Sequence, residues 1–146
     1  MKKNIKFLLL SIIVLLFINS KAFSIESFFE EGLKLFNNKE IKKSKFYFQK
    51  DMVFNPKFSK NYLYLAKIYL KEKNDDEQEK NLNTVLILEP SNEEAIYMMF
   101  NLMLKKSNFS ESKMLIEKFE IACSITCEKK AEMKKRLLIN EDSKEQ

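Results

Sequence analysis

A step of 34 residues constrains this chain more than any other feature it has. Pro56 and Pro90, its only prolines, stand one step apart. Gly32, its only glycine, precedes Ala66 by the same step, and Ala66 precedes Phe100 by another. Phe28, Tyr62 and Ile96 keep the spacing, as do Leu35, Tyr69 and Met103, and then Phe48, Leu82 and Ile116. Ser44, Gln78 and Ser112 hold a further equivalent place. A chain repeating in this way is expected to build similar units that cover one another's apolar faces, since a single unit cannot bury its own.

Each unit reads as two helices. In the middle one, Tyr62, Leu65, Ala66 and Tyr69 fall at i, i+3, i+4 and i+7, one face of a helix. The polar run from Lys73 to Asp76 breaks the pattern, and Leu82, Val85, Leu86 and Ile87 resume it. Pro90 ends it, having no amide hydrogen to donate. Asn55 is pushed out of helical space by Pro56, which ends the earlier unit in the same way. The pattern predicts helices over about 25–37, 40–54, 57–71, 75–88, 92–105, 109–122 and 126–139. Asn74 with Glu77, Ser91 with Glu94, and Asn108 with Glu111 have capping-box spacing. One glycine, two prolines and no tryptophan accord with an all-α chain.

These units resemble the tetratricopeptide repeat family. Its pattern asks for an aromatic, then Gly or Ala, then a large apolar residue in the first helix. It then asks for a small residue and an aromatic in the second helix, and a closing proline. The first unit supplies Phe28, Gly32, Leu35, Ser44, Phe48 and Pro56. The second supplies Tyr62, Ala66, Tyr69, Leu82 and Pro90, with Gln78 in the small slot. The third keeps Ile96, Met103, Ser112 and Ile116 but has Phe100 in the Gly/Ala slot and Ser124 in place of proline. The bulky Phe100 points to a looser crossing there. The resemblance implies an antiparallel helix-pair solenoid, a right-handed superhelix of about seven helices. Repeats would span about 25–58, 59–92 and 93–124, within a domain of 25–140. A helix over 126–139 would cap the array, with Cys127, Ala131 and Leu138 on its inner side, and 141–146 would form a polar tail.

The amino terminus reads as an export signal: Lys2, Lys3 and Lys6, then an apolar run from Phe7 to Ile18, then the small residues Ala22 and Ser24. That run is shorter than the roughly 20 residues a spanning helix needs, so cleavage after Ser24 is expected, with an uncleaved inner-membrane anchor as the alternative. The mature chain would be periplasmic or associated with the cell envelope. Lys2, Lys3, Lys6 and Lys21 leave with the leader, so 22 basic residues remain against 21 acidic ones, a net charge of +1. The basicity belongs to the leader and gives no ground for nucleic-acid binding, which needs a clustered basic surface. Lys, Asn, Ile and Phe are abundant, as in low-GC bacterial genomes.

With no histidine and one glycine, the chain lacks the commonest general base and any phosphate-cradling loop. Catalysis, metals and cofactors are therefore not expected. The resemblance implies a groove, lined by the first helices, that holds a protein or peptide partner. Phe29, Leu33 and Phe36 form a second apolar stripe beside the repeat core of the first helix. Leu63, Tyr64 and Lys67, then Tyr97, Met98 and Asn101, occupy or adjoin the corresponding places further on. These nine residues are the candidate groove lining; packing against a neighbouring hairpin, or against a second copy, is the alternative. The carboxylate clamp of some family members has no counterpart, since Phe29, Leu33, Tyr64, Glu94 and Met98 stand where it would be. An apolar segment is thus the expected ligand. Basic residues from Lys39 to Lys60 and acidic ones from Glu72 to Glu94 form solvated faces, or else support self-association or contact with an anionic envelope surface. Cys123 and Cys127, four apart, read equally as a disulfide or as two free thiols.

Overall fold

The computed structural model describes residues 27–123 and 127–142. Among them the chain is all-α, with seven helices and no strand: α1 (Phe28–Asn37), α2 (Ile41–Phe54), α3 (Ser59–Glu72), α4 (Asp75–Leu88), α5 (Glu93–Lys105), α6 (Phe109–Ala122) and α7 (Glu128–Asp142). The class and the helix count are those read from the sequence. The expected leader, 1–24, lies outside the described residues, as do Ser124 and 143–146. No described helix is long and apolar enough to cross a membrane.

The helices pair as α1–α2, α3–α4 and α5–α6, and packing runs mainly between neighbours in sequence, with α5 also touching α7. The third hairpin has the sparsest backbone approach of the three. Phe100, in its Gly/Ala slot, is fully buried.

The 34-residue step is visible in the backbone. Each hairpin turns through a residue with positive φ: Lys39 at 65°, Lys73 at 55° and Ser107 at 57°. The next amide in each case reaches back to the first helix: Glu40 N–H to Leu35 O (2.9 Å), Asn74 N–H to Tyr69 O (3.0 Å) and Asn108 N–H to Met103 O (2.9 Å). This is the left-handed helix ending usually built with glycine. Here lysine and serine adopt it, so the sequence carried no signal for it. The links between hairpins repeat too. Phe58 N–H donates to Asn55 O and Asn92 N–H to Glu89 O, both at 3.1 Å, closing four-residue turns with Pro56 and Pro90 second.

Those turns move two helix starts. Pro90 and Ser91 are used by the turn, so Asn92 and not Ser91 caps α5, its Oδ1 accepting from Ala95 N–H at 3.0 Å. Likewise α3 begins at Ser59, after the turn through Pro56 and Lys57. Asn74 and Asn108 cap α4 and α6 as expected, each accepting from the Glu three residues on at 3.2 Å. Ser27 caps α1, accepting from Glu30 N–H at 3.2 Å.

The core forms two clusters that meet at α3. Leu65, Ile68 and Tyr69 join Phe29 and Phe48 in the first. Leu63 and Ala66 face the other way, into a larger cluster reaching to Met133 and Leu137 of α7. Helix α3 therefore carries apolar residues on two sides because both are covered. Gly32 sits at a close approach of α1 and α2: a Cβ there would lie 2.9 Å from the Phe48 ring.

The last helix corrects two expectations. It runs from Glu128 to Asp142, so Glu141 and Asp142 are helical and not tail. It buries Met133 and Leu137, whereas Cys127, Ala131 and Leu138 are exposed. The stripe Lys130, Met133, Leu137 rotates the buried side away from the one read off the sequence.

Candidate functional site

Three of the nine residues expected to line a groove are buried. Phe29 (5% exposed), Leu63 (7%) and Met98 (8%) fill the seams between hairpins. Phe29 touches the rings of Phe48, Phe58 and Tyr64 at centroid distances of 5.6, 4.9 and 5.8 Å. They are packing residues because each first helix needs apolar surface on two sides, toward its own partner and toward the next hairpin. A stripe beside the repeat core cannot by itself distinguish a second seam from an open wall.

Leu33, Phe36, Tyr64 and Lys67 are half-buried and stand together on α1 and α3. Phe36 meets Tyr64 edge-on at 5.2 Å. The Lys67 ammonium lies 4.5 Å from the Tyr64 ring centre and 2.9 Å from the Glu94 carboxylate, so it ties α3 to α5. Leu70, one turn on, is 52% exposed.

Tyr97 and Asn101 are also half-buried, but α7 engages both. Tyr97 Oη donates to Glu132 Oε1 at 2.8 Å, and Arg136 Nη1 donates to Asn101 Oδ1 at 2.5 Å. The Lys129 ammonium lies 5.0 Å from the Tyr97 ring centre. The hydrogen bond to Glu132, helped by burial, raises the Tyr97 phenol above its ordinary pKa. The carboxyl-end helix thus covers the third unit's share of the wall, which leaves the first two units' share open.

A roomier concavity lies elsewhere, on the face formed by the second helices. Between α4 and α6 runs a groove of about 560 Å³. Leu86, Ile87, Met114, Leu115 and Ile121 line it, with the buried Met99 of α5 also reaching it, and Asn83, Glu111, Glu117 and Lys118 complete the lining. Ile87 is 78% exposed, Met114 66% and Ile121 85%. Val53 of α2, 77% exposed, occupies the place 34 residues before Ile87, and Ile121 the place 34 after. A large β-branched residue is therefore held out to solvent at one repeat position in all three hairpins. No reading of the first helices pointed here. The signal was present as the Val53, Ile87, Ile121 register.

The Cys123 and Cys127 sulfurs are bonded, with Cα atoms 5.9 Å apart, clipping the end of α6 to the start of α7. Among the described residues no group of three or more His, Cys, Asp or Glu side chains is arranged to hold a metal ion.

Neither a family model nor a curated protein matches this chain. The functional reading therefore rests on the geometry of its faces.

Proposed function

We propose that this chain is an exported, non-catalytic interaction module of the tetratricopeptide-like kind, holding an apolar segment of a partner protein. The observation that carries this reading is the groove between α4 and α6 with its exposed Ile87, Met114 and Ile121. Burying one such side chain is worth about 1.5–3 kcal/mol, so a partner covering the three gains several kcal/mol before paying its ordering cost. The glutamates and lysine of the lining suit a polar rim around an apolar centre. An amphipathic helix or an extended apolar strand fits that chemistry.

The open part of the first-helix wall, with Leu33, Phe36, Tyr64 and the exposed Leu70, is the second reading. A photoreactive residue at Ile87 or at Tyr64, introduced in cells, separates the two. Crosslinks to one protein from Ile87 and not from Tyr64 are expected. That partner should also be lost in Ile121→Asp with the fold intact by circular dichroism. Crosslinking from Tyr64 alone moves the site to the first-helix wall, and a folded Ile121→Asp that still binds removes the groove from the account.

A further inference from the structure

The face of the second helices is patterned beyond the groove. Phe46 of α2, 58% exposed, stands two repeat steps before Met114 of α6, just as Val53 stands before Ile121. Exposed apolar pairs thus lie at matching heights on the two outer helices, with Ile87 of α4 midway between them. Charge divides the same face. Beside Phe46 and Val53, α2 carries Lys42 and Lys50; beside Met114 and Ile121, α6 carries Glu111 and Glu117. None of these four belongs to an ion pair among the described residues. One end of the apolar row is therefore edged with unpaired cations and the other with unpaired anions.

We propose that the partner on this face is a second copy of the chain, related by a twofold axis running along α4. This rests on the reading of the α4–α6 groove as a binding surface. Such an axis lays α2 of one copy on α6 of the other, with the helices pointing the same way. Val53 then meets Ile121, Phe46 meets Met114, and Ile87 meets its own copy. A half-turn also exchanges left and right, which decides the charges. Lys50 leans to the outer edge of α2, its ammonium 4.0 Å from the Phe28 ring centre, and by helix spacing Glu117 lies toward the outer edge of α6. The axis brings those two together. Lys42 and Glu111 both lie on the sides toward α4, and it brings them together as well. On the axis α4 carries both signs, Lys80 lying 3.6 Å from Glu77, so it meets its copy without a single-sign clash. The other way of facing two copies, with the axis across the helices, sets α2 on α2 and its lysines on themselves, which like-charge repulsion disfavours. Each of the three helices has 14 residues, about 21 Å; set about 10 Å apart, they present about 600 Å² per copy, near the low end for a specific complex. The dimer is accordingly expected to dissociate at concentrations on the order of micromolar.

Sedimentation equilibrium of the purified protein should give a mass that rises from one chain to two across that range. Ile87→Asp, with its fold intact by circular dichroism, should raise the dissociation constant about a hundredfold, because two isoleucines leave the interface. Lys50→Glu alone and Glu117→Lys alone should each weaken association about tenfold, since each sets like charges together at both symmetric contacts. Mixing those two variants should restore it, because every contact in the mixed pair again joins opposite charges. A protein that stays monomeric well above the micromolar range overturns the proposal. So does a dimer indifferent to Ile87→Asp, or a mixture no tighter than its components. The photoreactive residue at Ile87 separates this proposal from the reading beneath it. A crosslinked species of twice the chain's mass supports the second copy. A crosslink to a different protein, lost in Ile121→Asp, keeps the groove as a binding surface and overturns the second copy; no crosslink at all overturns both.

Discussion

Replacing Gly32 by alanine sets two effects of similar size against each other. In a bare helix the change is favourable by about 1 kcal/mol, since glycine has more backbone freedom to lose. In this protein the new Cβ would sit 2.9 Å from Cδ1 and Cε1 of Phe48 and 3.3 Å from Tyr47 Cβ. The Phe48 ring has no room to retreat: it is fully buried, stacked on Tyr64 at 5.1 Å and against Phe29 at 5.6 Å. Relief must come from parting α1 and α2, and overpacking of this kind costs about 1–3 kcal/mol. Parting them also stretches the buried bond from Ser44 Oγ to Gly32 O, now 2.9 Å, worth about 1 kcal/mol. The balance is a net loss of about 1–3 kcal/mol, and each kcal/mol lowers the Tm by roughly 4 °C in a domain of this size. Thermal unfolding followed by circular dichroism measures it. The cause is checked in a Phe48→Leu background, where the ring is gone and Gly32→Ala should become neutral or stabilising by up to about 1 kcal/mol. A Gly32→Ala protein more stable than the native one would refute the close-crossing argument, and so would an equal penalty in both backgrounds.

Two further outcomes follow from the links between hairpins. Asn92→Ala should cost about 1 kcal/mol, because it removes both the acceptor for Ala95 N–H and the 2.8 Å tie to Glu89 Oε2. Ser91→Ala, one residue earlier in the turn, should fall within about 0.5 kcal/mol of the native protein by chemical denaturation. The Glu89 carboxyl is held below its ordinary pKa by the Ser59 hydroxyl, which donates at 2.5 Å, and then by Asn92. A carboxyl lowered on folding stabilises above its unfolded pKa of about 4.3 and loses that contribution as pH falls through the folded value. The Tm gap between the native protein and Ser59→Ala should therefore be full at neutral pH and narrow below about pH 4. A gap that widens in acid would contradict the sign.

How much of this was legible in the sequence varies by element. The seven helices and the pairing register were legible because Gly32, Pro56, Pro90 and the aromatic steps are scarce residue types repeating at a fixed interval. The turns at Lys39, Lys73 and Ser107 were not, since lysine and serine give no hint of positive φ. Asn92 displaced Ser91 as a cap because the Pro90 turn consumes the serine, a matter of backbone closure that cap spacing alone cannot show. The inner side of α7 was misread because Met133 and Leu137 answer to a surface presented by α5 and α6, not to the helix's own composition. Phe29, Leu63 and Met98 were misplaced for a related reason. Sequence shows that a face is apolar, while its cover is supplied by residues far along the chain.

The division between the two faces follows from how hairpins stack. Helix α3 carries a cluster on each side, and α5 joins α3, α4 and α7, so their apolar residues are consumed in seams. At the far end α7 takes Tyr97 and Asn101 into its own contacts with Glu132 and Arg136. Helices α2, α4 and α6 have their main contacts with first helices and make no extensive contact with one another. Gaps on that face are therefore left open by the fold itself. An aliphatic residue placed at such a gap gains nothing from folding and loses solubility for the chain, so a single exposed isoleucine is unremarked but a repeated one is not. Val53, Ile87 and Ile121, each more than three-quarters exposed at one position of three successive units, fit a surface shaped for a partner that spans hairpins. If they serve one such partner, Ile87→Asp and Ile121→Asp should each weaken its binding. Because both side chains line a single groove, the double variant should lose less than the sum of the two single losses.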